Sequence, residues 1–95
     1  MSRRMKASGC IVGGCYILRT AGALRIRTDR EPTLHLTATR RGSLALCLLP
    51  GGGLESVQAE DEATLCRWAV RLAVEFGQGV EITINTGLGG SNGNG

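Results

Sequence analysis

Arg25 and Arg27 alternate with Leu24 and Ile26, and His35, Thr37 and Thr39 alternate with Leu34, Leu36 and Ala38. A period of two sends alternate side chains to opposite faces of a sheet. The polar sets therefore share one surface, with Arg40, Arg41 and Arg19 at its margins. Guanidinium groups and hydroxyls presented together on a sheet are equipped to contact phosphates. Single-strand readers also need aromatic platforms for base stacking, and on this chain only Tyr16 is placed to serve. That scarcity favours a protein partner over a nucleic acid. The candidate partner-binding set is Arg25, Arg27, His35, Thr37, Thr39, Arg40 and Arg41.

The remaining chemistry-bearing residues are Cys10, Cys15, Cys47, Cys66 and the single His35. No Cys-x-x-Cys pair occurs, so the ligand pairing of a zinc site is missing and no metal is expected. A Cys47–His35 nucleophile pair is allowed geometrically if both odd positions face the same side, but nothing nearby supplies an orienting group or an oxyanion hole. Cys47, inside an apolar run, and Cys66, at the edge of an apolar helix face, read as small buried hydrophobes. Three glycines at Gly51–Gly53 invite comparison with a phosphate-cradling loop, but no Gly-Lys-Ser/Thr follows them. Neither a catalytic site nor a cofactor is expected.

These residues need elements to hold them, and the firmest runs from Asp61 to Phe76. Leu65, Trp68, Ala69, Leu72, Ala73 and Phe76 fall on one face at helical spacing. Asp61 and Glu62 suit the positive end of the helix dipole, and Gly77 follows where a left-handed residue is wanted. Extended segments are predicted at Ile11–Thr20, Ala23–Thr28, Thr33–Arg40, Ser43–Leu49 and Val80–Thr86, with Leu54–Gln58 as a short further strand. Gly13-Gly14 marks either a bulge in the first segment or a tight turn that splits off a small hairpin. In the Ser43–Leu49 run both faces are apolar. The bulkier set, Leu44, Leu46 and Leu48, is expected to face the core. Ala45, Cys47 and Leu49, with Ile17, would then form an apolar patch on the helix-free side. Val70 and Val74 offer a second apolar contact on the helix flank.

The fold class that results is α+β: an antiparallel sheet of four to six strands with one amphipathic helix on one face, in the order β-β-β-β-(β)-α-β. Residues 1–8 read as a mobile basic arm, 9–86 as one domain and 87–95 as a disordered Gly/Asn-rich tail. At 95 residues a domain buries roughly 60–65% of its unfolded surface. Aromatics are few, so the core has little bulk, and this leaves a homodimer open.

Charge is divided unevenly. Residues 1–50 carry nine basic against two acidic side chains, a net +7, and residues 51–95 carry two against six, a net −4. The halves attract each other, and the basic surplus can steer an acidic partner. Val12-Gly13-Gly14-Cys15 resembles a lipoprotein cleavage box. The apolar stretch before it is only Cys10 to Val12, against the about 7–15 residues an export signal uses. No run approaches the ~20 apolar residues of a membrane span, so a cytoplasmic, non-membrane protein is expected.

A few strands and one amphipathic helix form an outline similar to that of many small adaptors, nucleic-acid-associated proteins and phage-encoded inhibitors. That resemblance assigns no residue. The expectation is a non-enzymatic module that binds a protein partner, as a regulator or a phage- or mobile-element-type inhibitor. The alternative is a nucleic-acid binder that uses Arg3, Arg4, Lys6 and the Arg25/Arg27 face.

Overall fold

A computed structural model describes residues 8–85. The expected basic arm and tail lie outside the described residues, except Ser8, which opens the first strand. The elements are β1 (Ser8–Val12), β2 (Cys15–Thr20), β3 (Ala23–Arg27), β4 (Thr33–Arg41), β5 (Leu44–Leu48), β6 (Leu54–Gln58), α1 (Glu62–Phe76) and β7 (Gly79–Asn85). The class is α+β, with one helix. The sheet has seven strands rather than four to six, because Gly13-Gly14 is a turn and Leu54–Gln58 is a full strand. Both glycines have positive φ, 57° and 83°, which a two-residue hairpin loop takes at its centre.

Strand order is β1-β2-β3-β7-β4-β5-β6. The chain lays down β1–β3 as one meander and β4–β6 as another, and β7 enters between them. It pairs antiparallel with β3 and parallel with β4, from Thr33↔Gly79 to Thr39↔Asn85. The sheet is therefore mixed and not wholly antiparallel as expected. A parallel neighbour needs a crossover long enough to return the chain to the starting end, and α1 supplies it. The start of β7 is fastened to the preceding loops: Gly79 N–H donates to the Pro32 carbonyl (2.9 Å) and Val80 N–H to Thr28 Oγ1 (2.8 Å).

The helix forms where its sequence signals begin and end. Asp61 caps it, its carboxylate accepting from the Ala63 and Thr64 amides, and Gly77 closes it at φ 67°. Leu65, Cys66, Trp68, Ala69, Leu72 and Ala73 are buried. They meet Cys15, Ile17, Ile26, Leu36, Ala38, Val80, Ile82 and Ile84 in a single core. The sheet reaches the helix from both sides. From β2, Cys15 Sγ donates to the Cys66 carbonyl (3.6 Å), and from β6, Glu55 Oε1 accepts from Trp68 Nε1 (2.9 Å).

Two facings are the reverse of those expected. Ala45 and Cys47 are buried beneath the helix, while Leu44, Leu46 and Leu48 lie on the other face. Ile17 is also buried, so the predicted patch of Ala45, Cys47, Leu49 and Ile17 does not exist. Register is the cause. A two-residue loop after Arg41 pairs Ala38 with Cys47 and Arg40 with Ala45, so even positions of β4 share a face with odd positions of β5. Ile17 pairs with the buried Ile26 by the same logic.

Candidate interaction surface

Among the described residues one helix covers one face of the sheet and leaves the other open. On the open face β7 places its outward residues between the two sets that the sequence singles out. Cross-strand partners follow one another as Tyr16, Arg27, Glu81 and His35 in one row, and as Leu18, Arg25, Thr83 and Thr37 in the next. A third row joins Asn85, Thr39 and Leu46. Arg25, Arg27, His35, Thr37 and Thr39 thus share one surface, with a strand between the arginines and the rest. Arg41 also lies on this face, opposite Leu44 at the end of β4.

Arg40 does not belong to the surface. It occupies an even position of β4, on the helix side, where its Nε donates to the Gly42 carbonyl (2.8 Å) and Nη2 to Glu60 (3.4 Å). Arg19 likewise lies on the helix side, paired with Glu62. Both arginines tie the sheet to residues at the helix N-terminus, so their charge is answered within the fold.

Glu81 is the residue that sequence reasoning left out of the site. Its carboxylate lies 2.9 Å from His35 Nδ1 and stands directly opposite Arg27 in the register. Alternation within Val80–Asn85 shows that it points outward, but only the insertion of β7 between β3 and β4 puts it at the centre of the surface. Among the described residues, neither Arg25 nor Arg27 makes an ion pair.

Apolar side chains flank this polar strip. On one side stand Ile11, Tyr16 and Leu18, and on the other Leu44, Leu48 and Leu54, all exposed; Ile11 and Leu54 are both 68% accessible. A shallow groove of about 940 Å³ runs over β1–β3, with Ile11, Tyr16, Leu18, Arg25 and Arg27 in its lining. Large exposed apolar side chains on either side of a strip that carries arginines are the composition of a contact surface. Val70 and Val74 are exposed on the helix as well.

The thiols offer no second site. Cys47 and His35 fall on opposite faces of the sheet, which ends the nucleophile-pair alternative. Burial pushes the Cys15 thiol up to about 12, with the neighbouring Cys66 adding to the rise. Burial also raises the Cys47 and Cys66 thiols. A thiol so shifted is protonated at neutral pH and is a poor nucleophile. Cys10 alone is exposed, with Arg19 Nη1 at 3.6 Å from its sulfur. Among the described residues no group of three or more His, Cys, Asp or Glu is placed to hold a metal ion. No helix among them is long and apolar enough to cross a membrane.

No family model, curated protein or solved structure matches this chain.

Proposed function

We propose that the chain is a non-enzymatic interaction module of the cytoplasm, a regulator or inhibitor that binds a protein partner through the open face of its sheet. One observation carries this reading: six large apolar side chains stand exposed on the same face as two arginines that have no carboxylate partner on the described surface. An interface uses both kinds of group, the apolar ones for desolvation and the arginines for orientation and selectivity.

Tagged wild-type protein and the variants Arg25→Glu/Arg27→Glu and Leu48→Asp test it by capture from the source cell lysate, with Val74→Asp on the helix as a control. The reading expects a protein retained by the wild type and by Val74→Asp and lost from the open-face variants. Equal retention by all four overturns it.

A nucleic-acid partner is the second reading, favoured by Tyr16 standing directly beside Arg27. Titration of labelled RNA and DNA at two salt concentrations separates the two. Binding that falls steeply with salt and is lost in Arg25→Glu/Arg27→Glu supports a nucleic-acid interface, and absence of binding at low salt removes it.

A further inference from the structure

The seven-stranded sheet is open, so among the described residues it ends in two free edges, β1 and β6. Free edges are usually blunted by charge, proline, a bulge or a covering segment. Beside the β6 edge, Glu55 is engaged by Trp68 and Arg71 of the helix. Among the described residues the β1 edge has no such defence. Ser8-Gly9-Cys10-Ile11-Val12 carries no charge and no proline, and its register with β2 is continuous from Ser8↔Arg19 to Val12↔Cys15.

A two-residue loop closes on a hydrogen-bonded pair, here Val12 and Cys15, and such pairs alternate along an antiparallel ladder. Cys10 and Val12 therefore bond toward β2, and Gly9 and Ile11 direct their amides and carbonyls away from the sheet. A groove lies on each side of this edge. On the open face it is the one lined by Ile11, Tyr16, Leu18, Arg25 and Arg27. On the helix side a second groove, of about 550 Å³, runs between β1 and α1 and is lined by Val12, Ala63, Cys66, Arg67 and Val70. A strand added to β1 would send alternate side chains into the two grooves.

We propose that the β1 edge is a strand-addition site for an extended segment of a partner protein, with apolar residues on the helix side and carboxylates on the open-face side, in the groove whose far wall carries Arg25 and Arg27. The mode is β-augmentation, in which main-chain bonds supply affinity and the flanking grooves supply selectivity. Charge selects the occupant. Arg25 and Arg27 make no ion pair among the described residues. Asp29 and Glu81 share the open groove but pair with neither Arg25 nor Arg27. A second copy would bring an uncharged β1 and leave these arginines unanswered. The inference rests on the protein-partner reading above and adds to it the site and the chemistry of the ligand.

The test uses the full chain and two fluorescein-labelled octapeptides, one alternating glutamate and valine, the other lysine and valine, read by fluorescence anisotropy. The glutamate peptide should bind and the lysine peptide should not, with affinity falling as salt rises. Ile11→Pro removes an outward amide that β2 does not use and should weaken binding by at least about tenfold. Arg25→Glu/Arg27→Glu alters exposed groups without fold partners and should exchange the preference, so that the lysine peptide binds. Equal binding of both peptides, no binding of either, or full binding by Ile11→Pro overturns the proposal. So does a dimer in sedimentation that Ile11→Pro abolishes, because the occupant is then a second copy. The two readings fail separately. A lysate protein retained by Ile11→Pro but lost from Leu48→Asp removes the edge site and leaves the open-face module standing.

Discussion

Glu55 shows how much one side chain can hold. Its carboxylate accepts from the indole N–H of Trp68 and from the Arg71 guanidinium, so it joins the last strand before the helix to the helix itself. Glu55→Ala leaves a Trp68 N–H without its acceptor, and an unanswered donor of this kind costs about 1–3 kcal/mol. Urea unfolding followed by the fluorescence of the single tryptophan measures the loss. The thiols make a second prediction at this scale. Because burial raises Cys15 to about 12 from an ordinary 9.0, the folded state favours the neutral thiol. The stability this contributes is fully present below pH 9 and is lost as pH rises from there toward the folded value. The urea midpoint should therefore fall above pH 9, and a Cys15→Ser variant should lose part of that slope. In native protein a thiol reagent should label Cys10 first, with Cys15, Cys47 and Cys66 protected until unfolding.

At the scale of elements, the helix and the strand that follows it decide the architecture. Asp61 holds the helix start through bonds that are stronger to its ionised form. The Thr64 hydroxyl and amide hold the carboxyl below its ordinary 3.8. Its contribution is present above that value and is lost as pH falls through the lower folded value. Asp61→Ala should lower the urea midpoint at pH 7 and flatten its acid dependence below pH 4. Leu72 is fully buried at the centre of the apolar face. Leu72→Ala should cost about 2–5 kcal/mol, the range for truncating a core leucine, read by the same unfolding curve. Gly79 opens β7 against the loop before β4, where a Cβ would collide with the Arg30 carbonyl. Backbone is the obstacle, so no rotamer change relieves it, and Gly79→Ala should disturb β7 more than alanine at the open position of Gly22. Amide exchange across Val80–Ile84 would report the difference.

For the whole molecule, the order of strands sets what the surface can do. Two meanders that are separate in sequence become one sheet because β7 crosses between them. That insertion joins the Arg25/Arg27 strand to the His35/Thr37/Thr39 strand and places Glu81 between them. Among the described residues the sheet has one helix to cover two faces, so apolar side chains remain exposed on the second. Raising ionic strength should weaken capture of an acidic partner through the open face by more than it lowers the unfolding midpoint, since Arg25 and Arg27 serve no ion pair among the described residues and the pairs that do tie the fold are partly exposed. Capture at low and high salt, set beside urea curves at the same salts, checks the pair of outcomes.

Local sequence determined the elements whose periodicity is unambiguous. The apolar face of the Glu62–Phe76 helix, the outward facing of Arg25, Arg27, His35, Thr37 and Thr39, and the inward facing of Val80, Ile82 and Ile84 all follow from spacing alone. The acids at Asp61–Glu62 and the glycine at Gly77 mark the helix ends, with Asp61 as the cap and not a residue of the first turn. Where both faces of a strand are apolar, as in Leu44–Leu48, alternation has no contrast to read, and bulk pointed the wrong way. The two-residue loops at Ala21-Gly22 and Gly42-Ser43 held the missing signal, since loop length fixes which parities share a face, and with it the places of Ile17, Ala45 and Cys47. The partner of β7 was decided only by the tertiary structure. Pairing across distant segments depends on where a helix returns the chain, and no local pattern encodes that distance. The composition of the open face, with Glu81 among the arginines and leucines at its flank, is a consequence of that pairing.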